Sequence, residues 1–172
     1  MAVFSNKRIL LGVTGSIAAY KAADLASKLT QAGALVDVIL TEAAQKFVTP
    51  LTFQSVTGRR AHTDSDLWGN EAHVLHVGLG HTANLLMIAP CTANTIAKLA
   101  YGQADTLLTV TALAATCPLL LAPAMDGGMY DHPATQENLD TLRKRGAHII
   151  EPADGRLASG LAGTGRLPET PE

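Results

Sequence analysis

The chain has 172 residues, 47% of them hydrophobic and 16% charged, with a net charge of −2. That length is enough for one domain with a sizeable core, and the near-neutral charge excludes an electrostatic footprint for nucleic acid. No apolar run reaches membrane-spanning length, and the N-terminus lacks the apolar core of a secretion signal. Cys91 and Cys117 lie far apart and form neither a C-x-x-C pair nor a disulfide framework, so a reducing cytoplasm is the simplest setting. The low share of charge points to buried subunit surface.

Taken in order, residues 9–13 read as a buried strand. Gly12 and Gly15 allow a tight turn, Ser16 is placed to cap, and 17–29 has helical spacing. A strand, a glycine–serine turn and a helix present free N–H groups and a positive helix end to a phosphate. The spacing Gly12-x-x-Gly15-x-x-Ala18 is not the dinucleotide fingerprint. After Gly33, residues 34–40 predict a second strand, with short helices to about Val48 and over 51–56. Glu42, near that strand's end, resembles the acidic residue that grips an NAD ribose, but the glycine spacing argues against NAD and for a mononucleotide. Residues 57–68 read as turn-rich surface chain, with Trp68 as an anchor against the core or a neighbour.

Residues 70–83 carry His73, His76 and His81, a superficial metal set that no cysteine or acidic cluster completes. Residues 85–89 predict a strand, 90–95 a polar turn, 96–101 a helix, and 105–115 a helix apolar nearly all round and therefore buried. A strand over 118–122, a loop over 123–130, a helix over 133–145 ended by Gly146, and a strand over 147–150 follow. From Glu151 the chain reads as glycine-rich and irregular. Strands alternating with helices predict an α/β three-layer sandwich around a parallel sheet, with ligands beyond the carboxyl ends of the strands. The turns at Gly15-Ser16, 90–95 and 123–129 should therefore converge on one site.

Five motifs in order, Gly15-Ser16-Ile17-Ala18-Ala19-Tyr20-Lys21, His76-Val77-Gly78-Leu79, Pro90-Cys91-Thr92-Ala93-Asn94-Thr95, Pro123-Ala124-Met125-Asp126-Gly127-Gly128-Met129 and the stretch from Ala158-Ser159-Gly160 to Gly165-Arg166-Leu167, resemble the flavin-containing cysteine decarboxylases. The resemblance runs from Arg8 to Glu169. It implies a flavodoxin-like (Rossmann-type) fold in a single FMN-binding domain over 1–172, with a flexible substrate flap at about 153–169. It further implies a homotrimer or homododecamer with FMN near the trimer contacts. Gly15, Ser16, Ile17, Thr41, Cys91, Thr92, Ala93 and Asn94 would hold FMN; Met125, Asp126, Met129 and Arg166 would meet the substrate. His76 matches the family's catalytic histidine.

The implied reaction is that of coenzyme A synthesis: 4′-phospho-N-pantothenoylcysteine is oxidised to a thioaldehyde, loses CO2 and is reduced to 4′-phosphopantetheine. The thiocarbonyl supplies the electron sink that a saturated carbon lacks, and the flavin carries the redox chemistry. Such domains are often fused to a phosphopantothenate–cysteine ligase. Two positions depart from the family pattern. Asp126 stands where asparagine is usual, and Ser159 where the best-known members carry a proton-donating cysteine; a serine hydroxyl is a far weaker acid than a thiol. Ser159 is compatible with the alternative of an oxidative decarboxylase of peptide C-terminal cysteines that stops at the enethiol, although the retained flap argues against it. A flavin-binding subunit without catalysis would be expected to lack His76, and a prenyl transferase would need strand-end arginines that are absent.

Overall fold

The computed structural model describes residues 3–68 and 74–170. Six strands, β1 (Arg8–Val13), β2 (Leu35–Leu40), β3 (Ala61–Thr63), β4 (Leu85–Cys91), β5 (Leu119–Pro123) and β6 (His148–Ile149), form one sheet in the order β3-β2-β1-β4-β5-β6. Every neighbouring pair is parallel. The α/β architecture expected from the alternation is therefore present: a doubly wound, flavodoxin-like sheet whose strand order reverses between β1 and β4.

The two faces of the sheet are covered by different helices, because alternate residues of each strand point to opposite sides. Ile9, Leu11 and Val13 of β1 join Val36, Val38 and Leu40 of β2 under α1 (Ala19–Gln31) and α2 (Pro50–Thr57). Leu10, Ile39, Leu86 and Ile88 face the other way, against α3 (Leu75–Thr82), α4 (Ala93–Tyr101), α5 (Leu107–Ala114) and α7 (Pro133–Lys144). Gly12 lies on this second face, where a Cβ would stand 2.6 Å from Leu108, so α5 packs directly on β1.

Several expectations are corrected. The stretch 57–68 contains the edge strand β3, fixed in place by Arg59, whose Nη2 lies 2.7 Å from buried Asp37 of β2. Trp68 is 89% exposed, so it does not anchor the loop against the core among the described residues. Helix α5 is not buried all round, since Leu113 is 67% exposed. The chain after Glu151 is not irregular: β7 (Ala153–Arg156) and β8 (Ala162–Arg166) form an antiparallel hairpin outside the main sheet. Ser16 does not cap α1; that helix starts after Ala18, and Ser16 instead closes the turn, its hydroxyl accepting from the Ala18 N–H at 3.2 Å. No helix among the described residues is long and apolar enough to cross a membrane.

Candidate active site

The carboxyl ends of β1 and β4 are braced by one side chain. Thr14, buried just past β1, donates its hydroxyl to the Pro90 carbonyl at 2.6 Å and accepts from the Thr92 N–H at 3.1 Å. Beyond this brace opens a cleft of about 600 Å³. Gly15, Ser16, Thr41, Thr92, Ala93, Asn94, Met125 and Met129 all line it, so the three turns singled out in the sequence do converge.

Each wall has a local cause. Gly15 passes so close to Ala43 that a Cβ would sit 2.5 Å from the Ala43 methyl, which leaves room for backbone only. Thr41 follows β2 and receives the Ala44 N–H on its hydroxyl at 3.2 Å. Thr92 caps α4 by accepting from the Thr95 N–H, so the N–H groups of Ala93 and Asn94 point out of the first turn with no acceptor inside the helix. A helix of nine residues with its positive end open to a cleft suits a phosphate monoester.

Cys91 is an exception among the expected contacts. Its thiol is fully buried in the core behind the cleft, and burial pushes its pKa far above the ordinary thiol range, so it contributes packing and main chain rather than a reactive group.

A second cleft, about 300 Å³, adjoins the first through Ser16, Ala124 and Met125. Ile17 and Asp126 line it, and the hairpin covers it with Ser159 and Arg166. The two departures from the family pattern meet here. Ser159 donates its hydroxyl to Oδ2 of Asp126 at 2.9 Å, while Oδ1 of Asp126 accepts from the Gly128 N–H at 3.0 Å and caps α6 (Gly127–Tyr130). An aspartate accepts on both oxygens, and a hydroxyl is the partner that can donate to it. The hairpin is also bound through main chain, with the Met125 N–H donating to the Gly165 carbonyl at 3.0 Å.

His76 lies on α3, half-buried, and lines neither cleft. His73 lies outside the described residues. Among the described residues no cluster of histidine, cysteine and acidic side chains could hold a metal ion, and His81 stands at the last turn of α3.

Sequence reading missed several groups at the first cleft. Lys46 and Lys98 line it, Lys98 held 2.7 Å from Asp105, whose carboxyl that hydrogen bond keeps below its usual range. Asp64 ties the N-terminus of α5 to the end of β2, accepting from the Leu107 N–H at 2.8 Å and the Glu42 N–H at 3.3 Å. The only local signal was Lys98 six residues beyond the Thr92 cap. On α6 and α7, Tyr130 donates to Glu151, and Arg143 donates to the same carboxylate at 2.8 Å. This joins α6 to α7 and to the chain entering the hairpin.

Burial, then the Glu151 carboxylate, push the Tyr130 phenol up to about 12. Glu151 moves down, chiefly through the Tyr130 hydrogen bond. The phenol's share of stability is therefore complete below its ordinary pKa and is lost as pH rises through about 12. The carboxylate's share is present above its ordinary pKa and is lost on acidification through its lowered folded value. Ultraviolet titration of the native protein should show a phenol ionising near 12 that Tyr130→Phe removes. Its persistence in that variant would break the assignment.

The comparisons with known proteins agree with this fold. The flavoprotein family model matches residues 3–172. The chain belongs to the flavoprotein family. Among curated relatives, the coenzyme A biosynthesis bifunctional protein CoaBC of Bacillus subtilis is 49% identical over 97% of this chain and 41% of its own length. That of Mycolicibacterium smegmatis is 48% identical over 98% of this chain and 40% of its own. The chain thus spans about two fifths of the length of the curated relatives it matches. Among solved structures, a cysteine-to-serine mutant of PPC decarboxylase complexed with pantothenoylaminoethenethiol superposes with a TM-score of 0.86 at 35% identity, covering 95% of this chain and 92% of that one. The FMN-dependent cysteine decarboxylase SpaF gives 0.83 at 35% identity, covering 95% and 91%.

Proposed function

We propose that this flavoprotein is an FMN-dependent decarboxylase that converts 4′-phospho-N-pantothenoylcysteine to 4′-phosphopantetheine in coenzyme A biosynthesis. The observation that carries the reading is the pair of joined clefts: a larger one at the strand-order reversal beside an open helix N-terminus, and a smaller one roofed by the hairpin. The residues present fit FMN. Gly15 supplies a surface of bare backbone, the α4 N-terminus and Ser16 supply donors for a phosphate, and the cleft of about 600 Å³ accommodates a ring system.

Bound FMN supplies a two-electron acceptor that makes the carbon beside the cysteine carboxylate able to release CO2, and then returns the electrons. The chain's own groups do the rest. Met125 presents soft apolar surface where the two clefts meet, and Met129 adds to it on the wall of the larger one. Asp126 and Ser159 hold the hairpin down over the smaller cleft, with the Ser159 hydroxyl proton directed at a carboxylate oxygen. His76 is the proton-handling group of this reading, its imidazole nitrogen able to take up and return a thiol proton. Because His76 lines neither cleft of its own chain, the reading includes a homotrimer, or a dodecamer of trimers, in which a neighbour's α3 completes the site. The covalent partner in this reading is a ligase domain of the kind the bifunctional relatives' name implies, and the setting is cytoplasmic.

Product mass tests the reading. Protein loaded with FMN should convert 4′-phospho-N-pantothenoylcysteine to a species lighter by CO2 alone. Loss of CO2 with two further hydrogens would transfer the assignment to the oxidative peptide-type decarboxylases, the alternative that Ser159 permits. An unchanged substrate mass with FMN bound would end the proposal.

A further inference from the structure

The smaller cleft is lined by three cations, Lys21, Arg156 and Arg166, and two of them already grip an anion that belongs to the chain. Lys21 extends from α1 with its side chain 10% exposed and donates to Oε1 of Glu169 at 2.7 Å and to the Leu167 carbonyl at 3.0 Å. Arg166 donates through Nη2 to the same Oε1. One carboxylate oxygen is thus the meeting point of a buried ammonium and a guanidinium. Both cations hold the Glu169 carboxyl below its usual range, Lys21 foremost.

The arrangement is lopsided. A buried ammonium needs an anionic partner, since burial without one is costly. Its partner here is 68% exposed and hangs on the strand that leaves the hairpin, so solvent screens the pair and its hold is weak. A phosphate monoester offers three oxygens and close to two charges where Glu169 offers a single oxygen to both cations, and the guanidinium fork matches it. The cleft reaches this point from Met125, where it joins the larger one, so a ligand whose reacting end lies at Met125 and Asp126 reaches Lys21 and Arg166 with its far end.

We infer that Lys21 and Arg166 form the subsite for the terminal phosphate of the substrate, and that Glu169 is a tethered anion occupying that subsite until the phosphate displaces it. This rests on the decarboxylase reading for the identity of the phosphate's carrier. The subsite makes the enzyme prefer phosphorylated over dephosphorylated substrate, and Glu169 sets the threshold concentration at which the substrate gains entry. Displacing Glu169 removes one of three ties between α1 and the segment after the hairpin; Lys21 still donates to the Leu167 carbonyl and Lys28 to the Thr170 carbonyl, each at 3.0 Å.

The test compares FMN-loaded wild type with Arg166→Gln, Lys21→Met and Glu169→Gln. Steady-state kinetics use 4′-phospho-N-pantothenoylcysteine and its dephosphorylated form, and calorimetry measures binding of inorganic phosphate to the same proteins. Arg166→Gln should raise KM for the phosphorylated substrate by about tenfold or more, narrow its advantage over the dephosphorylated one, and weaken phosphate binding. Glu169→Gln should move in the opposite direction, with a lower KM for the phosphorylated substrate and tighter phosphate binding. Lys21→Met should resemble Arg166→Gln if it folds; Arg166, being partly exposed, carries the test if it does not. Equal KM changes for both substrates, or weaker phosphate binding in Glu169→Gln, would overturn the inference. A wild type that turns over neither substrate would count against the decarboxylase reading alone, and phosphate binding across the variants would still decide the subsite.

Discussion

Gly165→Ala is expected to cut kcat/KM by about one to two orders of magnitude while leaving FMN bound. Gly165 has φ +138°, a conformation that side chains rarely adopt, and a Cβ there would stand 2.2 Å from the Met125 carbonyl oxygen. Backbone strain of about 1–3 kcal/mol adds to a contact that only main-chain movement relieves. The movement also breaks the bond from the Met125 N–H to the Gly165 carbonyl, so hairpin and substrate loop separate together. The effect should be local: the hairpin is a separate two-stranded sheet, and the thermal midpoint of the domain should shift little. Gly58→Ala is the control. Its φ is +65° but nothing lies within 4 Å of the added Cβ, so it should cost only modest stability and no activity. Equal activity losses in the two variants would remove the hairpin contact as the cause.

His76→Asn is expected to lower kcat by about 10²–10⁴-fold, the usual worth of a positioned acid or base. The informative experiment is mixing. Gly15→Ala brings a Cβ 2.5 Å from the Ala43 methyl and spoils the larger cleft, whereas His76→Asn leaves that cleft intact. If a neighbour supplies His76, co-assembly of the two inactive variants creates sites with one good cleft and one good histidine, and a fraction of the activity returns. If mixed assemblies form and stay inactive, each chain must use its own His76, and the shared-site reading fails.

The order of the main elements was legible because each is buried on a face with its own period. The even residues of β1 feed one core and the odd residues the other, and Gly58 and Gly146 end their helices with positive φ. Strand β3 was not legible. It has three residues with His62 at its centre, and it holds its edge through the Arg59–Asp37 pair, a contact 22 positions apart rather than a local pattern. The hairpin escaped for a related reason: β8 reads Ala-Gly-Thr-Gly-Arg and shows no alternation, because its pairing is set by backbone and by its seat on Met125.

At the site, the turn motifs brought Gly15, Thr92 and Asn94 to one cleft, since strand ends of a parallel sheet must share one edge, while Thr41 was named only through the family resemblance. The Ser159–Asp126 bond spans 33 positions and could only be seen once the hairpin folded back. Sequence identified both as departures from a pattern, and the structure makes them one feature.

The Thr14 brace has a consequence for how long each ligand stays. It fixes the ends of β1 and β4 before anything binds, so a group entering the larger cleft orders little of the protein and keeps most of its contact energy. A ligand in the smaller cleft lies against a hairpin held by a few hydrogen bonds, so part of its contact energy goes into ordering that hairpin. Under the proposed function, the same molecule is thus stiff where a cofactor would stay bound and pliant where substrate and product would exchange.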